Sequence, residues 1–462
     1  MFKIPLKKAA RLNSVVLKGP RLVLLRAVAQ DVTKHYDIII AGGGMVGTTL
    51  ACTLGKNQIL SSKKLLLLEG SKIKQQSISD KYSNRVVSIN LGTHKLLNDI
   101  GAWSFIAKNR FATVRRMQVW DALSDSSITF GSSEHTDTVS YIVENDLLLA
   151  AVSEEAKKCN NLSIMDGAKV KNYQLPIAQD DVVGITLENG ECFTCDLLLG
   201  CDGVNSSVRK AMEADYLSWS YNQMGVVATV RFCEKFNNEI AWQRFLPNGP
   251  IALLPLTEEL SSLVWSTTPD EAKRLLSLTN QAFVAELNTA ISGTFSRSSL
   301  VLQATSAFDT FLRMFNCSVD QVRAYPPKVQ DIDSGSRAAF PLGFGHSSQY
   351  IRQGVALVGD AAHRIHPLAG QGVNLGFGDV ACLNKILGDA VYSASAISNM
   401  DYLKGYESER QKHNVPTMLA VEALHRLYNT KFTPIVLLRS LGLQTTHALE
   451  PIKRAIRNQA AV

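Results

Sequence analysis

Ala356-Leu-Val-Gly-Asp-Ala-Ala-His-Arg-Ile-His-Pro-Leu-Ala-Gly-Gln-Gly-Val-Asn-Leu-Gly376 is the stretch around which the rest of the chain is arranged. The short apolar run Val355–Val358 reads as a buried strand and ends at Gly359-Asp360. A turn carrying His366-Pro367 follows, and Gly370-Gln371-Gly372 reads as the opening of a helix. Glycines let backbone N–H groups approach a ligand closely, and a helix N-terminus favours negative charge, so this layout suits a ligand with phosphate and ribose. Asp360 is placed to accept a hydrogen bond from a ribose or ribityl hydroxyl. An ordinary strand–turn–helix corner uses the same residue types, so the stretch gains its meaning from two others.

The first of these opens the fold. Tyr36-Asp-Ile-Ile-Ile-Ala41 is a run without alternation, as a parallel strand buried on both faces should be. Gly42-Gly43-Gly44-Met45-Val46-Gly47 follows and fits G-x-G-x-x-G, and Thr48–Leu54 reads as a helix. Leu65-Leu-Leu-Leu68 is a second buried strand ending in Glu69, 22 residues past Gly47. That is near the spacing of the acid that binds a ribose hydroxyl in the dinucleotide fingerprint. Gly42 is expected to permit the tight turn, Gly44 to let a pyrophosphate approach, and Gly47 to allow close helix packing. The second is Asp196-Leu-Leu-Leu-Gly-Cys-Asp-Gly-Val-Asn-Ser-Ser-Val-Arg209, where a buried strand ends at Asp202-Gly203 and Ser206 or Ser207 can cap a helix. A plain capped corner is the alternative reading of that segment.

Composition bounds the rest. The 462 residues are 46% hydrophobic, enough for two domains and a helical tail, and no apolar run is long enough to span a bilayer. The net charge of +7 sits in residues 1–35, which hold eight Lys/Arg and one acid; the remainder carries 40 of each sign. A basic body for nucleic acid is therefore not supported. The leader, basic and threaded with Leu, Val and Ile, suits an amphipathic organelle-import peptide, mitochondrial in character, with a retained basic arm as the alternative. Eight cysteines do not make a disulfide framework. Cys192 and Cys195 have C-x-x-C spacing but lie on a strand, where positions three apart face opposite ways.

Arg85 precedes the amphipathic run Leu91–Ile100, where it can fork onto a pyrophosphate or simply end a helix in water. Met117–Ala122 and Ile128–Phe130 read as a hairpin leaving the first domain, and Tyr141–Asn145 leads into a helix over Leu147–Ala156. Strands and two helices between Tyr216 and Phe340 suit an antiparallel substrate domain. Trp242, Phe245 and Phe340 are candidates for an aromatic pocket or for core. The weakly periodic 292–330 reads as a surface excursion, with a lid, insertion or docking surface as alternatives. From Tyr402 the chain reads helical, and the apolar Phe432–Leu443, with Arg439 inside, suits core packing, a membrane surface or a partner helix. His363 and His366 are spaced like metal ligands but lack a third.

The order of the three corners resembles the flavoprotein aromatic hydroxylases of the p-hydroxybenzoate hydroxylase class. It is closer to the mitochondrial ubiquinone-biosynthesis monooxygenases. Tyr36–Gly47, Arg85–Asn90, Met117–Ala122, Tyr141–Asn145, Asp196–Arg209, Ala241–Leu256, Ser262–Ser266 and Arg337–Asp379 carry the likeness, which runs from about residue 36 to past 410. The resemblance implies an α/β fold: a Rossmann-like FAD-binding domain with an antiparallel-sheet substrate domain and a C-terminal helical region. The implied parts are 36–115, 141–215 and 335–400 for FAD, 116–140 and 216–334 for substrate, and 401–462 for the tail. It implies FAD held by Gly42, Gly44, Gly47, Glu69, Arg85, Asn145, Asp202 and Asp360, with the Pro367–Gly372 backbone, Gly370 and Gly372 included, against the isoalloxazine. It implies oxygen transfer from dioxygen to the ring of a polyprenylated hydroxybenzoate-type precursor, at ring position 5. The cofactor carries the hard step, so no catalytic side chain is named. The implied partners are ferredoxin with its reductase as electron source, and other ubiquinone-biosynthesis proteins in a complex on the matrix side of the mitochondrial inner membrane. A flavin oxidase or dehydrogenase of the same fold, and a non-catalytic flavoprotein scaffold, are the alternatives.

Overall fold

The computed structural model describes residues 34–453 and Ile456, apart from 73–77, 125, 132–137, 179–180, 315–324 and 450. The expected leader lies almost wholly outside the described residues. The apolar runs form the first sheet, in the order Ile351–Arg352, Val355–Leu357, Cys192–Gly200, Lys34–Ala41, Leu65–Glu69, Leu162–Asp166. The four central pairings from Val355–Leu357 to Leu162–Asp166 are parallel. Helices Met45–Lys56, Asn145–Ala156 and Gly372–Tyr392 pack with them, which is why these strands are apolar on both faces. Cys195 is buried and Cys192 exposed, on opposite faces of their strand.

Register decides where the ligand corners fall. Ala41 pairs with Gly200, and Gly200 with Leu357, so three strands end level and side by side. The glycine loop after Ala41, the Asp202 turn and the Gly359-Asp360 turn therefore leave the carboxyl end of the sheet together. Ligands of open α/β sheets bind at that end.

The second sheet has nine strands and is antiparallel but for one pair. Its main path runs His363–Arg364, Ala338–Ser347, Tyr216–Phe232, Leu260–Thr267, Gly249–Pro255, Ile240–Leu246, Arg116–Asp121, Ser127–Phe130. Its back face sets Trp120, Trp242, Trp265 and Leu263 against helices Pro269–Ser277 and Asn280–Ser292. Ala338–Ser347 belongs to this sheet, although the sequence reading assigns 335–400 to the first domain. It lies between two strands of this sheet, pairing Phe340 with Gly225 on one side and Gly345 with Arg364 on the other. A small sheet of Val86–Ile89, Ser140–Glu144 and Ala112–Val114 closes the third side.

The tail forms helices Met400–Tyr428 and Thr433–Ala448. Arg439, inside the apolar run, is 3% exposed and grips the buried Asp121 at 2.8 and 3.0 Å, while its Nη1 donates to the carbonyls of Leu427, Tyr428 and Thr430. No helix among the described residues is long and apolar enough to cross a membrane. Part of 292–330 is more than an excursion. Ser299–Met314 is a helix that buries Val301, Thr305 and Leu312, and its Asp309 accepts from Gln444 at 2.8 Å. Its partner lies more than a hundred residues downstream, so the local pattern is weak.

Candidate cofactor and substrate site

The three glycines of the first corner do different things. Gly42 has φ +107°, and a Cβ there would lie 2.5 Å from the Cys201 carbonyl oxygen. A Cβ on Gly47 would stand 1.9 Å from the Gly42 carbonyl oxygen. Both are required by the protein's own packing. Gly44 meets nothing within 4 Å and caps helix Met45–Lys56, whose first turn carries no acid. That open, electropositive helix end is where a pyrophosphate can approach. Glu69 accepts from the N–H groups of Gly43 and Ser71, both at 2.7 Å, so it braces the loop from the next strand.

Arg85 and Asn145 lie together: the Asn145 N–H donates to the Arg85 carbonyl at 3.0 Å, and both line one large cavity. The side-chain Oδ1 of Asn145 is buried with no partner among the described residues, and a ligand donor would satisfy it. Asp360, Pro367, Gly370 and Gly372 line the same cavity. Asp360 is open to the cavity yet surrounded by protein, which raises its carboxyl above the usual range against the pull of His363 and Arg364. Gly370, at φ +62°, turns the chain into helix Gly372–Tyr392, whose first turn also lacks an acid. Its free N–H groups can serve an acceptor.

Asp202 is separate from this lining. Its Oδ2 accepts from Ser207 N–H at 2.6 Å, Ser207 O–H at 2.8 Å and Val208 N–H at 3.2 Å, capping helix Ser207–Ala211. Its α-carbon sits beside Gly42, 2.9 Å from where a Cβ would be, so the residue shapes the loop from behind.

Two supporting residues escape sequence reading, Asp379 and Asn374, and a third, His366, takes a structural role. Asp379, wholly buried, accepts from Gly359 N–H at 2.9 Å, His363 Nε2 at 2.6 Å, Arg410 Nε at 2.7 Å and Asn414 Nδ2 at 3.1 Å. Burial alone would raise its carboxyl; His363, Arg410 and the Gly359 N–H outweigh that and hold it well below the carboxylate range. Asn374 donates to the carbonyls of Ser88 at 2.8 Å and Gly370 at 3.2 Å, tying the late turn to the small sheet. His366 accepts from Leu368 N–H at 3.1 Å through Nδ1, which leaves its Nε2–H to donate to Gln223 Oε1 at 3.2 Å. Burial, and then His425, press His366 down to about 3, so it is neutral. His363 and His366 thus hold turns, and no metal-ligand cluster exists among the described residues. The one signal for Asp379 was a lone acid within the apolar start of a helix.

The cavity measures 1390 Å³. One wall is Arg85–Ser88 with Pro367, Leu368 and Gly370–Asn374; another is the front of the second sheet, including Val119, Phe245, Ala252 and Phe340; helical tail residues Leu424, Leu427, Tyr428 and Leu443 close it. Phe245 stacks on Tyr428 at 3.7 Å. Of the three candidate aromatics, Phe245 and Phe340 line the cavity and Trp242 packs behind the sheet.

Comparison with known proteins gives the family. The FAD binding domain family model matches residues 35–308 and 326–418. The mitochondrial ubiquinone biosynthesis monooxygenase COQ6 of Drosophila melanogaster is 48% identical over 91% of this chain and 88% of its own length. That of Xenopus tropicalis is 45% identical over 93% and 94%. Among solved structures, p-nitrophenol 4-monooxygenase PnpA from Pseudomonas putida matches with TM-score 0.67 and 16% identity, covering 93% of this chain and 99% of that one. PqsL, a probable FAD-dependent monooxygenase from Pseudomonas aeruginosa, matches with TM-score 0.65 and 18% identity, over 88% and 100%. These two speak for the fold. The chain belongs to the FAD-binding monooxygenases, and within them to the family of the mitochondrial ubiquinone-biosynthesis enzymes.

Proposed function

We propose that this protein hydroxylates the aromatic ring of a polyprenylated hydroxybenzoate-type precursor of ubiquinone, using FAD and dioxygen, at ring position 5. One observation carries the reading: the cavity that receives the Arg85, Asn145, Asp360 and Gly372 side of the first domain is continuous with the apolar front of the second sheet. Gly44, Glu69, Arg85, Asn145, Asp360 and the N–H groups around Gly370 and Gly372 would hold FAD. The bound, reduced cofactor supplies the oxygen chemistry at a site from which the apolar walls exclude water. The protein's own work is to orient a phenolic ring between the Pro367–Gly372 turn and the sheet.

The tail of such a substrate is apolar, and Leu424, Leu427, Leu438 and Leu443 line the helical side of the cavity. Leu438 is also 67% exposed, which supports an opening beside the tail helices. Leu424 and Ile456, which line the same cavity, are exposed too, as is Phe432 on the tail, and these apolar surfaces support a peripheral position on the matrix face of the inner membrane. Electrons would come from ferredoxin and its reductase, and other ubiquinone-biosynthesis proteins would share the surface.

The test supplies purified holoprotein with ferredoxin, its reductase and a short-chain prenylated 4-hydroxybenzoate under isotopically heavy dioxygen. One heavy oxygen atom in the ring is the expected product, with magnetic resonance giving its position. Reoxidation of the flavin with peroxide release and an unlabelled ring would assign an oxidase instead.

A further inference from the structure

The front of the second sheet is apolar apart from Ser266 and, in its middle row, Gln243. Register sets Val119, Gln243, Ala252 and Val264 side by side, and Val227 continues the row. All five line the cavity, and Gln243 alone among them is polar. It is 5% exposed and its side chain bonds no described residue. Its orientation is fixed by its neighbours. Trp242 is in the core behind the sheet, and Arg244 donates to the carbonyls of Ala290 at 3.0 Å and Ile291 at 2.8 Å. Strand alternation then turns Gln243 forward, and only a register slip of the whole strand could hide it.

The amide opens onto the cavity and no described residue pairs with it, so a ligand that fills the cavity must either hydrogen-bond it or leave it desolvated at a cost. We propose that the Gln243 amide hydrogen-bonds the phenolic oxygen of the ring that enters this cavity, and thereby sets which edge of the ring faces the Pro367–Gly372 turn. The inference rests on the cavity taking a phenolic substrate. A phenol suits the amide at both ends: its O–H donates to Oε1 and its oxygen accepts from Nε2–H. A carboxylate suits it poorly, because a neutral amide leaves a desolvated charge uncompensated. The cationic side chains of the lining are placed elsewhere. Arg439 is saturated by Asp121 and three carbonyls, Arg364 donates to the Pro341 carbonyl at 2.7 Å, and Arg85 belongs to the cofactor side.

The experiment measures dissociation constants of the FAD-loaded protein for three probes: 3-prenyl-4-hydroxybenzoate, its analogue lacking the hydroxyl, and its analogue lacking the carboxylate. The unmodified protein should prefer the hydroxylated probe to the deoxy one by about tenfold. Gln243→Leu should bring that preference to within about twofold, leave the carboxylate preference in place, and keep full FAD content and the flavin spectrum. Gln243→Met, closer in shape, serves if the leucine variant does not fold, and Gln243→Asn, with a shortened amide, should lose the preference as well. A hydroxyl preference that survives, a loss confined to the carboxylate, or loss of FAD would each overturn the assignment. If the unmodified protein binds no phenolic probe at all, the substrate reading falls with it; a retained preference in the variants sinks the Gln243 role alone.

Discussion

The Asp202 and Asp360 corners start from the same place and end in different roles. Each follows a strand of the first sheet, and the two strand ends, Gly200 and Leu357, are paired neighbours. Yet Asp202 spends one carboxylate oxygen on three donors from Ser207 and Val208, while Asp360 faces the cavity. The difference lies in what comes next along the chain. A helix begins five residues after Asp202, so its orphan N–H groups point back at the carboxylate. After Asp360 the chain makes one tight turn, in which the Ala362 N–H goes to the Gly359 carbonyl, and then joins the second sheet at His363–Arg364. The N–H of Gly359 is taken from outside, by Asp379. A Gly–Asp pair after a strand announces a corner; the nearby supply of N–H groups decides whether its carboxylate is kept inside or left for a ligand.

If that account is right, Asp379 is what frees Asp360, and removing it should have the largest effect. Asp379→Leu leaves Arg410 buried without its counter-charge, a loss of about 3–5 kcal/mol. Urea denaturation of purified protein at neutral pH measures it. A loss below about 1 kcal/mol would show that the turn is held by its own backbone and that the contrast between the corners has another origin.

The next prediction separates the two carboxylates by ligand affinity. Asp360→Ala removes one charged acceptor from the cavity wall, so FAD affinity should fall by about ten- to a hundredfold, the worth of a charge-assisted hydrogen bond. Stability of the apoprotein should barely change, because the side chain is open to the cavity water. Titration of the apoprotein with FAD and a thermal melt of the same samples give both quantities. A stability loss without an affinity loss would put Asp360 in the same class as Asp202.

How far these roles are legible follows from their physical basis. The first corner is readable because most of its demands are local: Gly47 answers to the Gly42 carbonyl in the same loop and Glu69 ends the adjacent strand, although Gly42 also answers to the distant Cys201 carbonyl. Gln243, Asn374 and Asp379 are not readable in that way. Each looks like an ordinary polar residue until register or helix packing puts it against a partner from a distant segment. Trp242 and Phe245 are an intermediate case. They are three apart on one strand, so they had to face opposite sides, and the sequence held that information although both were named for one pocket. The helix Ser299–Met314 was hidden for the opposite reason: its burial depends on Thr433–Ala448, where its Asp309 accepts from Gln444.

Acid should act on the Asp360 side first. His366, next to the Pro367–Gly372 turn, is pressed down to about 3 by burial and by His425. Around it stand Gln223, Tyr221 and His425, with Glu422 and Arg426 beyond. An unfolded chain takes up that proton near pH 6.5 and the folded one refuses it. The contribution is therefore full above pH 6.5 and declines by about 1.4 kcal/mol per pH unit as pH falls toward 3. Asp379 adds to this lower down, since its depressed carboxyl withholds protons that the unfolded chain binds below about pH 4. His366→Gln should lessen the slope of stability against pH between 6.5 and 4.5 by one proton's worth. An unchanged slope would mean that His366 is protonated in the fold and paired differently.

The smallest expected effect is the most direct test of the contrast. Asp202→Ala removes the acceptor of the Ser207 and Val208 N–H groups, and the loss of a helix cap costs about 1 kcal/mol. Ser206 still accepts from Arg209 N–H at 2.9 Å and limits the damage. Arg209 itself stays fixed, through the carbonyls of Ala361 and Val204, both at 2.7 Å. FAD affinity should therefore stay within about twofold. Asp202→Asn, which keeps an acceptor and drops the charge, should recover part of the lost stability. A fall in FAD affinity of tenfold in both variants, with no change in melting temperature, would mean that the carboxylate turns from the helix to the ligand when FAD binds. Asp202 and Asp360 would then serve one cofactor in the same way, and the supply of N–H groups after a corner would not decide the use of its carboxylate.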